Sequence, residues 1–335
     1  MEKQKFSLFA WMQKIPGGII LVPLFIGIFM NTFFPQALQI GGFTTGMFKT
    51  GTGCLLGLFL MLNGAAIDVR HIGQPFYRGF VLTAMKLILG VALGLLVSLL
   101  CGKAGLLGIT PMAIIAAITN SAGGEYLALA KEYGTPDDAG AISLLSLNDG
   151  PFFTMVAMGA AGLASIPFMT FVATLVPLIL GIIWGNLDKE FRKHAAAALP
   201  IVCFFMMIPI GAGMTLKGLV KGGIGGVILA AISALSAYVF YYLYQLCLPK
   251  KQRNAMGAAI GTTAANATSV PAALAEADTT LAPFAEAATA QVTVAALVTA
   301  FTAPIITAQL DKKMRAKKQG MYSDEAVAER EAAAE

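Results

Sequence analysis

Long apolar stretches recur along almost the whole of this 335-residue chain, and they leave it few possible folds. A helix needs about 20 mostly apolar residues to cross a bilayer. Charged residues make up only 12% of the chain, roughly half of what an ordinary soluble domain carries. We therefore expect an all-α polytopic membrane protein with ten transmembrane helices. The stretches predicted to span the membrane are 15–34, 44–67, 78–101, 110–131, 139–162, 168–186, 199–216, 223–248, 255–276 and 283–309.

Both ends of the chain differ from this pattern. Residues 1–14 mix apolar and basic side chains and lead directly into a full-length span, so we expect an interfacial segment rather than a cleaved signal peptide. Residues 311–335 are polar, and we expect a solvated tail.

The basic residues predict the orientation. Counted over alternate connections, 18 Lys and Arg lie on the side of the N-terminus and 4 on the other side, with Lys86 inside the third span. Basic residues favour the cytoplasmic side of a membrane. Both termini are therefore expected to be cytoplasmic, and Lys49, Lys103 and Lys217 to face outward. Basic residues scattered between apolar runs do not indicate a nucleic-acid partner.

Three short patterns recur in order along the chain. Leu-Val-Pro-Leu at 21–24 returns 154 residues later, Gly-Ala-Ala at 64–66 returns as Gly-Ala-Gly 147 residues later, and Cys101 returns as a cysteine 146 residues later. Five spans is an odd number, so the second set would enter the membrane from the opposite side. The pattern predicts two inverted five-helix repeats, 15–162 and 163–310, an arrangement typical of secondary transporters.

Polar residues interrupt the fourth and ninth spans at equivalent places, 119–124 and 265–271. Gly123 and Gly124 have low helix propensity, and Pro271 removes a backbone donor. A broken helix at membrane depth must be buried in protein or line a wet cavity, and the start of the following half-helix suits a carboxylate. A packing face of small residues is the alternative explanation. The predicted substrate-binding residues are Thr119, Asn120, Ser121, Gly123, Gly124, Asn266, Thr268 and Ser269.

Ionisable side chains within predicted spans are candidates for ion coupling, because charge is costly in a bilayer. A buried Asp149 or Glu286 could take up and release a proton. Glu125 follows the first break and could be a gate or an ion ligand, whereas Lys86 could snorkel or pair with a buried acid. The residues predicted to take part in coupling are Asp149, Asn148, Glu125, Glu286 and Gln291.

Several motifs resemble those of the 2-keto-3-deoxygluconate permease family. They are Ile-Pro-Gly-Gly at 15–18, Tyr-Gly-Thr at 133–135, Leu-Asn-Asp-Gly-Pro at 147–151 and Gly-Asn-Leu-Asp at 185–188, and the resemblance extends over about residues 15–310. It implies the fold of the bile-acid sodium symporters, with crossing broken helices four and nine. It also implies import of 2-keto-3-deoxygluconate with protons across a bacterial plasma (inner) membrane.

Two motifs depart from the family pattern. The family's Thr-Asn-Gly-Gly stands here as Thr-Asn-Ser-Ala-Gly-Gly at 119–124, and its Glu-Ser-Gly-Pro as Asn-Asp-Gly-Pro at 148–151. The carboxylate lies one position later, which leaves the coupling ion open between H⁺ and Na⁺.

The expected function is therefore that of a secondary transporter for a small sugar acid. No protease, hydrolase or ATP-binding motif occurs, so we expect no catalytic residue, metal or cofactor. The expected partners are the substrate and the lipid bilayer, and no protein partner is indicated. The polar groups at the breaks do not distinguish 2-keto-3-deoxygluconate from glucuronate or related acids. A sodium-coupled organic-anion carrier and, as a different class, a channel are the alternatives.

Overall fold

A computed structural model describes residues 7–13, 18–69, 73–102, 104–148 and 150–332, and all regular secondary structure in these residues is helical. The α-helices in chain order are α1 (Leu8–Gln13), α2 (Gly18–Phe33), α3 (Gly42–Phe48), α4 (Thr52–Ala66), α5 (Gln74–Cys101), α6 (Pro111–Thr119), α7 (Gly123–Tyr133), α8 (Pro136–Gly140), α9 (Ile142–Leu145), α10 (Pro151–Ala160), α11 (Phe168–Leu187), α12 (Lys189–Gly211), α13 (Leu216–Cys247), α14 (Met256–Ala259), α15 (Val270–Ala277), α16 (Ala282–Ala316) and α17 (Asp324–Ala332).

Five of the described helices are long and apolar enough to cross a membrane: α5, α11, α12, α13 and α16. Helices α3 and α4, bent by 59° relative to each other, would form a sixth span if they act together. The remaining predicted spans fall on α2, which is shorter, and on helices interrupted within the predicted stretch. The structure therefore supports a polytopic helical protein, and the number of ten spans stays a prediction.

The outer surface of these helices is strongly apolar. Ile88, Leu99, Val220, Ile224 and Leu246 are each at least 70% exposed. A water-soluble protein rarely exposes so many large apolar side chains together, whereas lipid requires them.

Four helices, α2, α4, α11 and α12, form what we call the first helix group. Helix α2 packs along α12, and α4 packs against both α11 and α12. Two crossings are very close: a Cβ atom added to Gly27 would lie 2.1 Å from the carbonyl oxygen of Ile208, and one added to Gly181 would lie 1.9 Å from that of Met61. Only glycine lets the backbones approach so closely.

The second helix group contains α5, α6, α7, α10, α13, α14, α15 and α16, with α13 and α16 as its longest packed pair. A buried ion pair and its hydrogen bonds connect α5 and α13 of this group to the short helix α8. Arg78 at the start of α5 is 1% exposed, and its Nη1 lies 2.7 Å from Oδ1 of Asp138 in α8. The Tyr244 hydroxyl in α13 donates to the same oxygen at 3.0 Å, and Asn254 donates to Oδ2 at 2.7 Å. Such a pair is stable when hydrogen bonds satisfy its remaining polar atoms, as they do for this carboxylate.

The tail packs back onto the protein. The main-chain N–H of Met321 donates to the carbonyl oxygen of Arg253 at 2.9 Å, and Met321 itself is buried. The Tyr322 hydroxyl donates to Asp311 at 2.7 Å, and its burial and the nearby carboxylate raise the pKa of Tyr322. The prediction of a solvated tail is therefore wrong at these positions. Helix α16 continues to Ala316, and the chain after it turns back onto the loop that follows α13.

Candidate functional site

The first helix break lies where the sequence predicted it. Helix α6 begins at Pro111, after the Thr110 side chain caps it by accepting the Ala113 N–H at 3.1 Å. It ends at Thr119, and Asn120 is extended, with φ −86° and ψ 141°. Helix α7 begins at Gly123, so residues 120–122 are non-helical.

The second break begins earlier than predicted. Helix α14 ends at Ala259, residues 260–264 are not helical, and a 3₁₀ turn covers Ala265–Ser269. Pro271 lies in the first turn of α15, where a proline without an N–H is tolerated, so it starts a helix instead of breaking one. The prediction that the interruption starts at 265 is therefore wrong by five residues.

The predicted fifth span is also interrupted. Helix α9 ends at Leu145, a 3₁₀ turn follows, and α10 begins at Pro151. Asn148 is 1% exposed and its Nδ2 donates to the carbonyl oxygen of Thr119. The Gly150 N–H donates to Oδ1 of Asn120 at 3.2 Å. This segment therefore lies directly against the first break. Asp149, the first candidate for ion coupling, lies outside the described residues.

A cavity of about 750 Å³ lies between the two helix groups. The first group contributes the start of α2, the end of α4 and the middle of α12, with Met12 of α1 beside them. The second group contributes residues 121–127 and 264–266, which belong to the two breaks. Its polar lining side chains include Asn63, Ser121, Glu125 and Asn266.

Five of the predicted site residues line this cavity: Ser121, Gly123, Gly124, Glu125 and Asn266. Oγ of Ser121 and Oε2 of Glu125 are buried and have no hydrogen-bond partner within the part of the chain that the structure describes. The side-chain amide of Asn266 likewise bonds to none of the described residues. Buried polar atoms are normally satisfied, so these groups are available to a ligand.

Four other predicted substrate-binding residues are bonded within the protein. Asn120 is fully buried, and its Nδ2 donates to Ala116 O and to Thr154 Oγ1, both at 3.0 Å. The Thr119 hydroxyl lies 2.8 Å from the same Thr154 oxygen. Thr268 and Ser269 donate to carbonyl oxygens three residues earlier, in each case at 2.8 Å. In this conformation these side chains shape the breaks and do not line the cavity.

Glu286 and Gln291 are not brought to the cavity. Glu286 is exposed, and its Oε1 accepts from the N–H and hydroxyl of Thr215, at 3.1 and 2.9 Å. The expectation of a buried carboxyl there is wrong, because Glu286 lies near the start of α16 and caps the start of α13. Gln291 is buried and donates to the carbonyl oxygen of Gly108 at 2.7 Å.

Sequence reasoning missed Asn63 and Thr154. Asn63 lines the cavity, is 4% exposed and donates to the Ser146 carbonyl at 2.7 Å. A lone amide in an apolar run, next to Gly64, is the signal that could have identified it. Thr154 joins the first break to α10, and nothing in its local sequence marks it.

Comparison of the sequence with known proteins shows the family of this chain. Residues 9–316 match the sequence profile of the 2-keto-3-deoxygluconate permeases. The chain belongs to this family. 2-Keto-3-deoxygluconate permease 1 of Salmonella typhimurium is 44% identical over 301 residues, covering 90% of this chain and 94% of that protein. The 2-keto-3-deoxygluconate permease of Bacillus subtilis is 34% identical over 315 residues, covering 92% and 95%.

Membership in the permease family confirms the resemblance found in the sequence. Its members are transporters and not enzymes. Together with the apolar helices, this identifies the chain as a multi-pass membrane protein.

Proposed function

We propose that this permease imports 2-keto-3-deoxygluconate by proton symport through alternating access. The cavity at the two helix breaks is the observation that carries the proposal, because both helix groups line it and it is lined by polar groups that bond to none of the described residues. The names of the related permeases support the choice of substrate.

The chemistry of the lining suits a small sugar acid. Gly123 and Gly124 open α7, where main-chain N–H groups and the helix dipole favour a carboxylate. The Ser121 hydroxyl and the Asn266 amide can exchange hydrogen bonds with hydroxyl and keto groups. A cavity of about 750 Å³ accepts such an acid together with several waters.

Glu125 supports coupling to protons. Its Oε2 lies buried in the first turn of α7, beside the cavity that must hold an anion. Two like charges in such a site repel each other, so binding of the substrate anion favours the neutral, protonated form of Glu125. Glu125 would thus bind one proton with each substrate. Asp149 is the second candidate, and a sodium ion at Glu125 would be the alternative way to neutralise it.

Packing within the first helix group supports the inverted repeat. A Cβ atom added to Gly211 would lie 2.0 Å from the carbonyl oxygen of Leu24, and one added to Gly64 would lie 2.3 Å from that of Leu178. Leu24 and Leu178 are 154 residues apart and Gly64 and Gly211 are 147 apart, the offsets seen in the sequence. The contact of α2 with α12 is thus repeated between α11 and α4, as a two-fold axis in the membrane plane requires.

Two asparagines repeat the same relation in their hydrogen bonds. Asn31, near the end of α2, donates to Met214 O at 2.8 Å, and Asn186, near the end of α11, donates to Ile67 O at 2.9 Å. The two acceptors are 147 residues apart. Each amide oxygen also accepts from a cation, at 2.8 and 2.9 Å; the cations are Lys49 and Arg192. These pairs support a two-fold relation between the first two spans of each proposed five-helix repeat.

The distribution of basic residues supports the orientation. We place both termini in the cytoplasm, with the protein in the bacterial inner membrane, because 18 of the Lys and Arg lie on the N-terminal side. Met12, the start of α2 and the end of α4 line the cavity, and in the proposed topology these also lie on that side. The structure would then be the inward-facing conformation.

Counterflow in liposomes tests the function directly. Liposomes containing the purified protein are loaded with unlabelled 2-keto-3-deoxygluconate and diluted into labelled substrate without an ion gradient. A carrier accumulates the label transiently, whereas a channel only equilibrates it. If excess glucuronate does not reduce the accumulation, the carrier distinguishes the two acids. Absence of any accumulation would contradict the proposal.

A further inference from the structure

Lys86 is a buried cation in the middle of α5, and it contacts the second helix break. The residue is 1% exposed, so it does not snorkel to the membrane surface. Its Nζ donates to the carbonyl oxygens of Ile260 and Thr262, at 2.7 and 2.9 Å. The Phe240 ring lies on another side, with its centroid 5.8 Å from Nζ.

The carbonyl oxygens of Ile260 and Thr262 can accept from Lys86 because they are not used in helical hydrogen bonds where the helix is broken. Both belong to residues 260–264, which lie between α14 and the following 3₁₀ turn. Unwound carbonyls at membrane depth must find a partner, and in transporters they form sites for monovalent cations. The ammonium group of a lysine carries the same charge and donates up to three hydrogen bonds.

We propose that the Lys86 ammonium is a tethered cation that takes the place of a bound alkali ion at the second break. It holds the carbonyls of Ile260 and Thr262 and thereby positions Ala264–Asn266, which line the cavity. Lys86 is thus a positioning residue that removes the need for sodium at this break. The inference rests on the proposed function in one respect, that the cavity is the substrate site.

Helix α5 is well placed for this role because it touches both breaks. Four residues after Lys86, a Cβ atom added to Gly90 would lie 2.7 Å from Cγ2 of Thr119 at the first break. Positions four apart lie on one face of a helix. Gly90 and Lys86 therefore lie on one face of α5, with Gly90 against the first break and Lys86 against the second.

Two variants separate charge from volume. Lys86→Ala removes the charge and leaves room for a small cation, whereas Lys86→Met removes the charge and fills most of the space. Both should reduce uptake of labelled substrate at least tenfold in sodium-free buffer. Sodium or ammonium chloride should restore at least a third of wild-type uptake to Lys86→Ala but none to Lys86→Met, relative to choline chloride.

Thermal unfolding in detergent provides a second readout that needs no substrate. Sodium or ammonium should raise the unfolding temperature of Lys86→Ala by several degrees relative to choline, and should leave Lys86→Met and the wild type unchanged. Equal responses of the two variants would overturn the inference. Stabilisation of the protein by sodium that is equal in the wild type and in Glu125→Gln would also overturn it, and this comparison holds even when neither Lys86 variant folds. Wild-type protein with the expected thermal behaviour but no uptake would contradict only the proposed function.

Discussion

At the residue scale, Glu125 is the group on which proton coupling depends. Glu125→Gln keeps the size and polarity of the side chain but cannot release a proton. We expect at least a tenfold loss of substrate accumulation driven by a pH gradient, while counterflow without a gradient continues. Both are measured by labelled uptake into liposomes.

Glu132→Gln is the matched control for that variant. Glu132 lies on the same helix but is exposed and does not line the cavity. It should accumulate substrate like the wild type. Normal accumulation by Glu125→Gln would indicate that Asp149, and not Glu125, binds the coupled proton.

Substitution of the two asparagines at the breaks should have different effects: Asn266→Ala should reduce substrate affinity, and Asn120→Ala should reduce stability. Asn266→Ala removes a cavity-lining amide that bonds to none of the described residues, so substrate affinity should fall by about 5- to 150-fold with little change in stability. Asn120→Ala leaves the buried Gly150 N–H without its acceptor and should cost about 1–3 kcal/mol of folding free energy. Substrate-binding titrations and thermal unfolding measure the two effects. Identical behaviour of both variants would contradict the assignment.

The sequence identified the polar residues of the breaks but not the direction in which each side chain points. Ser121 and Asn120 are neighbours with similar chemistry, yet one lines the cavity and the other bonds to Thr154. That difference depends on α10, which lies more than thirty residues later in the chain. A local pattern does not contain it.

At the scale of elements, the Asp138 carboxylate joins α5, α8 and α13. Asp138→Asn would leave the Arg78 guanidinium buried without its counter-charge, and we expect a loss of about 3–5 kcal/mol. Asp137→Asn is the control, because Asp137 is 42% exposed and lies 3.8 Å from Arg78, and it should cost less than about 1 kcal/mol. Thermal unfolding in detergent measures the loss of stability of both variants. Equal losses would show that the buried Arg78–Asp138 pair does not stabilise the second helix group.

The two breaks show what can be predicted for an element. Gly123 and Gly124 mark the first break within the sequence itself, and the structure has it there. The second break begins in an apolar, alanine-rich stretch whose freed groups bond to Lys86 and Thr299. These partners belong to helices that are distant in the sequence. Local helix propensity therefore predicted the break only at the polar residues from 265 onward.

At the scale of the whole molecule, the orientation can be tested by labelling. In a variant without its four cysteines, Lys217→Cys should react with an impermeant thiol reagent added outside sealed cells, and Lys313→Cys should react only after the cells are opened. The charge bias is the reason for this expectation. Labelling of Lys313→Cys from outside would contradict it.

In the proposed mechanism, a proton gradient drives a sugar acid through the cavity between the two helix groups. Uptake of labelled 2-keto-3-deoxygluconate into liposomes, measured under a proton gradient alone and under a sodium gradient alone, tests it most directly. We expect accumulation above equilibrium with the proton gradient, no accumulation with the sodium gradient, and loss of accumulation when a protonophore collapses the proton gradient. Accumulation that requires sodium and persists with the protonophore would contradict proton coupling.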